Sequence, residues 1–320
     1  MGKRLLLVTH NIGEEYLHQL NEILPEWKVV AGKEEELWTA HAKNAEVIVG
    51  WKKELQKHVL HNESKLRWIQ SWSAGVNSMP LNALDEKGVL LTSANGVHAY
   101  PISETIFAMM LGLTRKIHTY VRQQQTKEWH HAHMNMEIHE KTIGIIGVGE
   151  IGQETAKIAK AFRMNVLGVR HSGVSHEYVD KMYTPRELKE VLPQCDYIVI
   201  TVPLTQETNK LIGKNEFILM KDSAFLINIG RGEVIDEEAL IHALNNKEIA
   251  GAGLDVFENE PLDKNSPLWT MENVIVTPHT SGSTQHYTKR VIENIFLPNL
   301  KKYINENNEL INLVNYKKGY

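Results

Sequence analysis

One segment, residues 141–173, restricts the fold of this chain more than any other. Its first part, 142–146, is apolar and β-branched and reads as a short strand, and a helical pattern follows a glycine-rich turn. GxGxxG spacing in this order predicts a dinucleotide-binding turn, because the glycines allow a tight turn, close approach of backbone to a pyrophosphate, and close packing of helix on strand. The helix N-terminus then offers unpaired N–H groups to the phosphates. The residues expected at this turn are Gly147, Gly149, Glu150, Ile151 and Gly152.

Short apolar segments alternate with helical patterns along the rest of the chain. Buried-type strands separated by helices indicate parallel sheets with helices on both faces. A series of six strands, with the glycine turn after its first strand, matches a dinucleotide-binding sheet. Near the join between the two series, Pro101 is expected to open a long apolar helix. The candidate strands are 4–9, 28–31, 46–50, 67–71 and 89–92 in the first series, and 142–146, 166–169, 197–201, 225–228, 253–256 and 274–276 in the second.

Length and composition narrow the class of protein. A chain of 320 residues is long enough to form two domains of ordinary size. The net charge of −4, without a dominant basic block, lacks the electrostatic footprint of a nucleic-acid-binding protein. The apolar run near the N-terminus is too short for a signal sequence or a membrane span. Cys195 is the single cysteine and suits a reducing compartment. We therefore expect a cytoplasmic protein with neither nucleic acid nor membrane as a partner.

The end of the second strand in the later series bears on the choice of cofactor. Where such units place an Asp or Glu, this chain has Arg170, His171 and Ser172. A carboxylate there accepts hydrogen bonds from ribose hydroxyls, whereas an arginine can bind a 2′-phosphate and a serine hydroxyl can donate to it. We expect NADP(H) as the preferred cofactor, with NAD(H) as the alternative if Arg170 is only a solvated side chain. Glu150 opposes this expectation, since a carboxylate at the turn repels phosphate unless it points away.

Three polar residues lie just beyond later segments of the second series. They are Arg231 in NIGRGEVIDEEAL, Glu260 in AGLDVFENEPL and His279 in VTPHTSG. In open α/β sheets, ligands bind beyond the carboxyl ends of the strands. A guanidinium for a carboxylate, an imidazole for proton transfer and a carboxylate to hold the imidazole form a coherent catalytic set. Each residue taken alone is more often structural, so the hypothesis depends on finding all three at strand ends.

Six ordered segments resemble the D-isomer-specific 2-hydroxyacid dehydrogenase family, and its glyoxylate/hydroxypyruvate reductase-like members in particular. Two positions depart from the family pattern: Glu150, where members often carry a basic or neutral residue, and Arg170, where NAD-linked members carry Asp. Both departures concern the cofactor and leave the reaction unaffected. The six segments are SWSAGVNSMPL, TIGIIGVGEIG, TVPLTQETNKLI, NIGRGEVIDEEAL, AGLDVFENEPL and VTPHTSG.

The resemblance implies an α/β architecture of two doubly wound parallel-sheet domains with a cleft between them. A flavodoxin-like substrate domain would comprise residues 1–98 plus 287–320, and a Rossmann dinucleotide-binding domain residues 99–286. The resemblance also implies NAD(P)H-dependent reduction of a small, glyoxylate- or hydroxypyruvate-like 2-oxo acid to the D-2-hydroxy acid. It further implies a homodimer formed through the region after Pro101.

Residue roles also follow from the resemblance. Arg231 would bind the carboxylate and C2 oxygen of the substrate, and His279 would donate a proton to that oxygen. Glu260 would hold the other ring nitrogen and favour the imidazolium. The N–H groups of Ala74 and Gly75, from the opposite domain, would receive the substrate carboxylate. The remaining cofactor contacts implied are Val202, Pro203, Ile229 and Asp255.

Alternatives to this interpretation stay open. Phosphoglycerate-type oxidation of a D-2-hydroxy acid occurs in the same family, and a nucleotide-sensing regulator can be built on the same fold. Formate dehydrogenases resemble the family but carry Gln where this chain has Glu260. The histidines of WHHAHMNMEIH, which are His130, His131, His133 and His139, invite a metal assignment. No cysteine or paired carboxylate completes such a site, so we expect no metal.

Overall fold

A computed structural model describes residues 3–76, 78–131, 136–307 and 309–317 of the chain. The chain divides into two compact units. The first unit consists of Met1–Val97 together with Gln285–Tyr320, and the second unit is His98–Thr284. Each unit is built on its own parallel sheet, so the predicted α/β class with two parallel-sheet domains is confirmed.

The sheet of the first unit has five parallel strands in the order β2-β1-β3-β4-β5. Its strands are short apolar runs, and Trp68 of the fourth strand is fully buried against Phe296 and Tyr303, with ring centroids 5.6 and 5.3 Å away. Residues near the C-terminus return to the sheet edge, where Leu313 forms an antiparallel bridge with Thr92. The strands are β1 (Arg4–Val8), β2 (Trp27–Ala31), β3 (Val47–Val49), β4 (Trp68–Gln70) and β5 (Leu90–Thr92).

Helices cover both faces of this first sheet. The helix after β1 is Glu14–Ile23, and after β3 the 3-10 turn Lys53–Leu55 leads directly into one α-helical turn, Gln56–Val59. A π-helical stretch, Val291–Phe296, joins the last two helices. The helices are α1 (Glu14–Ile23), α2 (Glu35–Ala42), α3 (Gln56–Val59), α4 (Leu81–Glu86), α11 (Tyr287–Arg290) and α12 (Leu297–Ile304).

The sheet of the second unit has seven parallel strands in the order β12-β11-β10-β9-β6-β7-β8. The chain runs outward from β6 through β7 to β8 and then crosses back to β9 on the other side of β6. The strand order therefore reverses between β6 and β9, which is where open α/β sheets bind ligands. The strands are β6 (Thr142–Ile146), β7 (Asn165–Val169), β8 (Lys181–Tyr183), β9 (Tyr197–Ile200), β10 (Phe225–Asn228), β11 (Gly251–Leu254) and β12 (Val274–Val276).

The helices of the second unit include the long apolar helix expected near the join. It begins at Ala99 rather than at Pro101, and the proline is accommodated because the first turn of a helix needs no N–H donors. Eleven of its residues are buried, so it is a core helix of this unit. The helices are α5 (Ala99–Thr114), α6 (Ile117–Thr126), α7 (Glu150–Ala161), α8 (Leu188–Val191), α9 (Lys214–Leu219) and α10 (Glu237–Asn245).

Two strand predictions in this sheet were wrong. The sheet has seven strands rather than six, because Lys181–Tyr183 pairs in parallel with β7 at its edge. The strand predicted at 253–256 lies at Gly251–Leu254. The chain leaves the sheet at Asp255, because the Asp255 carboxylate accepts hydrogen bonds from the loop after β12. Glycine disfavours a strand on propensity alone. Here, however, a side chain at Gly251 would lie 2.4 Å from the Asn273 carbonyl, so close backbone packing requires it.

Candidate functional site

The glycine turn joins β6 to α7 and is shaped by close backbone contacts. Gly147 has a φ of 108°, a region that favours glycine, and its N–H donates to the Val169 carbonyl at 2.9 Å. A side chain at Gly152 would lie 2.3 Å from the Gly147 carbonyl oxygen, so the helix abuts the turn. A side chain at Gly149 would meet no described atom within 4 Å. The turn therefore presents open space at the N-terminus of α7, where a pyrophosphate can approach backbone N–H groups.

Glu150 and Ile151 form the first turn of α7, and Glu150 is exposed. A carboxylate at the N-terminus of a helix is favoured by the helix dipole. The helix dipole therefore accounts for the Glu150 carboxylate without a contact between that carboxylate and a ligand. On the other side of the turn, the Thr201 hydroxyl donates to the Gly147 carbonyl at 2.5 Å and links the glycine turn to the loop after β9.

Arg170, His171 and Ser172 form a tight turn at the end of β7. The Gly173 N–H donates to the Arg170 carbonyl at 3.0 Å, and the Arg170 N–H donates to Tyr183 of β8 at 2.9 Å. The Arg170 side chain is half-buried, and no carboxylate pairs with its guanidinium within the described part of the chain. Ser172 is exposed, and its Oγ accepts from the Val174 N–H at 3.4 Å. The turn thus holds a cation whose charge is available to an anion.

Val202 and Pro203 lie in the loop after β9, which is ordered by its own threonines. The Thr208 hydroxyl donates to the Pro203 carbonyl at 2.7 Å. In the same loop, the Thr205 hydroxyl donates to Glu207 at 2.9 Å. This bond, with a smaller contribution from nearby His171, lowers the pKa of the exposed Glu207 carboxyl. The loops after β7 and β9 therefore lie close enough for His171 of one loop to act on Glu207 of the other.

Asp255 follows β11 and is fully buried. One carboxylate oxygen accepts from the Thr277 hydroxyl at 2.6 Å and the Thr280 N–H at 2.9 Å, and the other accepts from the Ser281 N–H at 3.0 Å. Asp255 therefore fastens the loop after β12 to the end of the neighbouring strand. The second oxygen keeps a lone pair free for a further donor. Ile229, buried at the end of β10, packs in the core cluster beneath the glycine turn.

His279 and Glu260 are in direct contact. The ring Nδ1 of His279 lies 2.8 Å from Glu260 Oε2, and Glu260 Oε1 accepts from the Phe257 N–H at 3.1 Å. The His279 N–H donates to the Asp255 carbonyl at 2.8 Å, and the residue has a φ of 52°. Both side chains are partly exposed, at 48% for His279 and 36% for Glu260. With Nδ1 engaged, Nε2 is the nitrogen that can serve a reactant.

Arg231 lies in the loop just beyond β10, and β10 is the neighbour of β11 in the sheet. Its backbone carbonyl accepts from the buried Asn228 amide at 3.0 Å, and its side chain is exposed, with one guanidinium nitrogen donating to the Gly230 carbonyl at 2.7 Å. At the next position, a side chain on Gly232 would lie 1.8 Å from the Phe257 carbonyl carbon. The Arg231 loop is therefore in backbone contact with the loop that carries Glu260. The three predicted catalytic residues follow three neighbouring strands, β10, β11 and β12.

Two residues that support this site were missed from the sequence. The His98 ring Nδ1 lies 2.9 Å from the Gly282 carbonyl, so the start of α5 contacts the loop that carries His279. Asn228 orders the Arg231 loop through its amide, and it also accepts from the Gly230 N–H at 3.0 Å. Asn228 ends a predicted strand, and its polarity at a buried strand end was a signal that it holds a loop. His98 gave no such signal, because its contact spans 184 residues.

Ala74 and Gly75 lie in the first unit, in the loop after β4. The loop residues before them are held by main-chain hydrogen bonds. The Ser71 N–H donates to the Thr92 carbonyl, and the Ala94 N–H donates to the Ser73 carbonyl. Within the described residues, the N–H groups of Ala74 and Gly75 have no acceptor. Consecutive free N–H groups in a loop form a concavity suited to an anion. Asn77, in the same predicted substrate loop, lies outside the described residues.

The remaining sequence hypotheses concern metal and membrane. The described residues contain no group of three or more His, Cys, Asp or Glu that could hold a metal ion, and His133 lies outside them. His139 packs edge-on against Phe162, with ring centroids 5.3 Å apart. Of the helices that the structure describes, none is both long enough and apolar enough to span a membrane.

A family model and two curated relatives identify the same protein family for this chain. The model described as D-isomer specific 2-hydroxyacid dehydrogenase, NAD binding domain, matches residues 107–281. Glyoxylate/hydroxypyruvate reductase B of Enterobacter sp. is 37% identical over 269 residues, which cover 82% of each chain. D-3-phosphoglycerate dehydrogenase of Methanocaldococcus jannaschii is 34% identical over 290 residues, or 89% of this chain and 54% of that enzyme. The chain thus spans about half the length of the archaeal enzyme.

Solved structures agree with this result. A D-isomer specific 2-hydroxyacid dehydrogenase family protein from Aeromonas salmonicida subsp. salmonicida is 32% identical, with a TM-score of 0.84 over 98% of this chain and 99% of that one. The NADPH-dependent glyoxylate/hydroxypyruvate reductase of Sinorhizobium meliloti, solved with NADP and sulfate, is 25% identical, with a TM-score of 0.79 over 99% and 100%. The chain belongs to the D-isomer specific 2-hydroxyacid dehydrogenase family and is an oxidoreductase that uses a nicotinamide dinucleotide.

Proposed function

We propose that this protein reduces a small 2-oxo acid, of the glyoxylate or hydroxypyruvate kind, to the D-2-hydroxy acid. The observation that carries the proposal is the 2.8 Å contact between His279 and Glu260 at the carboxyl ends of neighbouring strands in a nucleotide-binding sheet. An imidazole held by a carboxylate is suited to deliver a proton to a developing alkoxide. A relative 37% identical to this chain is named glyoxylate/hydroxypyruvate reductase B.

The glycine turn fits a dinucleotide. A side chain at Gly152 would fill the space where helix and turn meet, and the position over Gly149 is open. When bound, the reduced nicotinamide supplies the hydride for C2 of the 2-oxo acid. We assign the pyrophosphate to Gly147, Gly149 and Gly152 and to the backbone N–H groups of Glu150 and Ile151, and the adenosine side to Val202 and Pro203. We assign the nicotinamide side to Ile229 and Asp255.

For the adenosine ribose we propose the turn after β7 as a 2′-phosphate site. The guanidinium of Arg170 has no carboxylate partner among the described residues, and His171 and Ser172 are exposed beside it. A fixed cation with nearby donors favours a phosphate over a hydroxyl. NADP(H) is therefore the proposed preferred cofactor, and NAD(H) is the alternative.

In the proposed reaction, each catalytic side chain has one task. Arg231 binds the substrate carboxylate and the C2 oxygen and withdraws electron density from the carbonyl. His279 donates its Nε2 proton to the C2 oxygen, and Glu260 accepts a hydrogen bond from the Nδ1–H and so fixes the orientation of the ring. The N–H groups of Ala74 and Gly75 are the proposed main-chain donors for the substrate carboxylate.

The test of this function is a panel of 2-oxo acids assayed with NADPH and with NADH. We expect kcat/KM to be highest for glyoxylate or hydroxypyruvate with NADPH, and the product of hydroxypyruvate to be D-glycerate. A wild-type protein that binds nucleotide but turns over no 2-oxo acid would contradict the proposal and favour a nucleotide-sensing regulator. Formation of L-glycerate would contradict the assigned stereochemistry.

Phosphoglycerate-type oxidation is the second candidate, and one comparison favours it. The archaeal D-3-phosphoglycerate dehydrogenase matches 89% of this chain. The same assay distinguishes the two candidates when it includes 3-phosphohydroxypyruvate in the reductive direction and 3-phosphoglycerate with the oxidised cofactor. A kcat/KM for the phosphorylated pair at least about 10-fold above that for hydroxypyruvate, equivalent to about 1.4 kcal/mol, would establish this candidate instead.

We also propose that the protein is a homodimer that associates through α6. None of the residues of α6 is buried, and Ile117 and Val121 are 52% and 50% exposed on it. Tyr100 and Trp129, from the neighbouring segments, are also exposed. Apolar side chains grouped on one surface helix are typical of a contact with another protein chain.

A further inference from the structure

The position of the Ala74 and Gly75 N–H groups depends on how the loop after β4 is held. Main-chain bonds fix the loop up to Ser73, whose carbonyl accepts from the Ala94 N–H at 3.0 Å. Beyond Ser73, the two N–H groups lack acceptors within the described chain. On the far side of the two donors, Val76 is buried in the core of the first unit and its carbonyl accepts from the Met79 N–H. On the near side, Trp72, the residue just before Ser73, is held by contacts from two other elements. The contacts of Trp72 therefore fix the end of the loop from which the two donors extend.

His10, at the end of β1, packs face to face on Trp72. The two rings are 4.5 Å apart at their centroids and inclined by only 13°. Next to His10, Gly50 has a φ of 88°, and a side chain there would lie 2.4 Å from His10 Nδ1. The Thr9 hydroxyl lies 3.2 Å from the same nitrogen. The imidazole is therefore held on its own strand end and placed against the indole.

Tyr287 of α11 holds Trp72 from another direction. Its ring meets the Trp72 ring edge-on, at 6.3 Å and 63°, and its hydroxyl donates to the Trp72 carbonyl. Trp72 is thus fixed between the end of β1 and the start of α11. Removal of the His10 ring would free one face of the indole while the contacts of Tyr287 stay in place.

The charge state of His10 suits this packing. Burial, assisted by the positive charge of Lys52, lowers the pKa of His10 to about 4. The Lys52 ammonium itself lies 5.4 Å from the ring of Trp38. Because the imidazole is neutral between pH 6 and 8, stacking on the indole does not require a cation to lose its water.

We infer that His10 is a positioning residue that sets the affinity for the 2-oxo acid by stacking on Trp72 and so fixing the loop that presents Ala74 and Gly75. The inference rests on the proposed function, in which these N–H groups bind the substrate carboxylate. His10 contacts neither substrate nor cofactor in this inference. Its effect should therefore appear in substrate affinity and leave the chemical step unchanged.

The experiment compares His10→Ala, His10→Phe and the control His18→Ala. His18 is a histidine on α1 in the same unit; its side chain is 77% exposed and forms an ion pair with Glu22. Stacked aromatic pairs are worth enough to raise the KM for the 2-oxo acid roughly 3- to 10-fold in His10→Ala. The kcat and the KM for NADPH should stay within about twofold of wild type. Phenylalanine keeps a flat aromatic ring that can stack on the indole, so His10→Phe should restore the KM to within about twofold.

Several outcomes would overturn the inference. They are an unchanged KM in His10→Ala, an equal loss of NADPH affinity, and a His10→Phe variant as impaired as His10→Ala. The ratio of the KM values of His10→Ala and wild type should be constant from pH 6 to 8. A ratio that falls toward one as pH rises would mean that a charged imidazole acts instead, which also overturns it.

Binding without turnover separates this inference from the proposed function. Calorimetry of the protein with NADPH measures the affinity for oxamate, an unreactive 2-oxo acid analogue. If wild type turns over no 2-oxo acid but binds oxamate, and His10→Ala weakens that binding 3-fold or more, the proposed function fails and the positioning role stands. If His10→Ala binds oxamate as wild type does, the positioning role fails whatever the catalytic result.

Discussion

The imidazole of His279 is held through its backbone as well as its ring. Its φ of 52° lies in the left-handed region, where Asn, Asp and His are enriched among non-glycine residues. Alanine at this position would add backbone strain to the loss of the ring. The variant that isolates the chemistry is therefore His279→Asn, which tolerates the conformation but cannot donate the proton.

We expect His279→Asn to lower kcat by about 100-fold or more, the usual scale for a general acid. The dissociation constant of NADPH and the thermal unfolding midpoint should match those of wild type. Steady-state rates and NADPH titration by fluorescence provide the measurements. A kcat within about threefold of wild type would mean that another group delivers the proton.

The charge at the end of β7 allows an independent test of cofactor choice. Arg170→Ala should weaken NADPH binding by about 10- to 150-fold, since a charge-assisted contact of about 1.5–3 kcal/mol is lost. NADH lacks the 2′-phosphate, so its affinity should be nearly unchanged. Arg170→Asp should go further, because a carboxylate repels the phosphate and accepts hydrogen bonds from the ribose hydroxyls of NADH.

The control for this test is Arg186→Ala, an exposed arginine in the helical turn after β8. It changes the net charge of the same unit by the same amount without altering the turn after β7. Equal losses of NADPH and NADH affinity in Arg170→Ala, or a wild type that already prefers NADH, would contradict the assignment of a 2′-phosphate site.

At the scale of the elements, the site depends on the connection between two neighbouring strand ends. The buried Asp255 carboxylate accepts three hydrogen bonds from Thr277, Thr280 and Ser281. Asp255→Asn replaces one acceptor oxygen by an NH₂ group and leaves a donor unpaired, at a cost of about 1–3 kcal/mol. We expect the unfolding midpoint to fall by about 2–12 °C and kcat to fall with it.

Thr277→Val is the graded control for this prediction. It removes only the hydroxyl that donates to Asp255 and keeps the side-chain shape, so its effect on stability and rate should be smaller than that of Asp255→Asn. Differential scanning fluorimetry and steady-state rates measure both quantities. An Asp255→Asn protein with wild-type stability would show that the carboxylate does not fasten this loop.

The elements also show what the sequence could and could not reveal. Strand β6 was predicted with the bounds it has, because its apolar, β-branched sequence and the glycine turn after it are local signals. Strand β8 was missed because Lys181–Tyr183 is short and begins with an exposed lysine, so only its pairing with β7 defines it. The contacts of Asp255 and the stacking of His10 on Trp72 join residues far apart in sequence. Nothing local to those residues predicts such contacts.

At the scale of the whole molecule, association through α6 is the main testable property. Val121→Glu places a charge among exposed apolar side chains and should convert a dimer into a monomer, because an unpaired charge buried at an interface costs several kcal/mol. Ile218→Glu on α9 is the matched control, since Ile218 is 62% exposed in the same unit. Light scattering coupled to size exclusion measures the mass. A wild-type monomer, or a Val121→Glu protein that keeps the dimer mass, would contradict the proposal.

The contact between Gly232 and the Phe257 backbone has a consequence for how this protein tolerates mutation. A side chain at Gly232 would lie 1.8 Å from the Phe257 carbonyl carbon, so each of the other nineteen amino acids requires two loops to separate. In a saturation library, position 232 should retain glycine alone, and its variants should disappear already at a selection for soluble, folded protein.

Arg231 variants should pass that selection and fail only a selection for activity. Among them Arg231→Lys should be more active than Arg231→Gln, and both less active than wild type, because lysine keeps the charge and loses the planar fork. Folded, soluble Gly232 variants or an active Arg231→Gln would show that the two neighbours are not constrained in these separate ways.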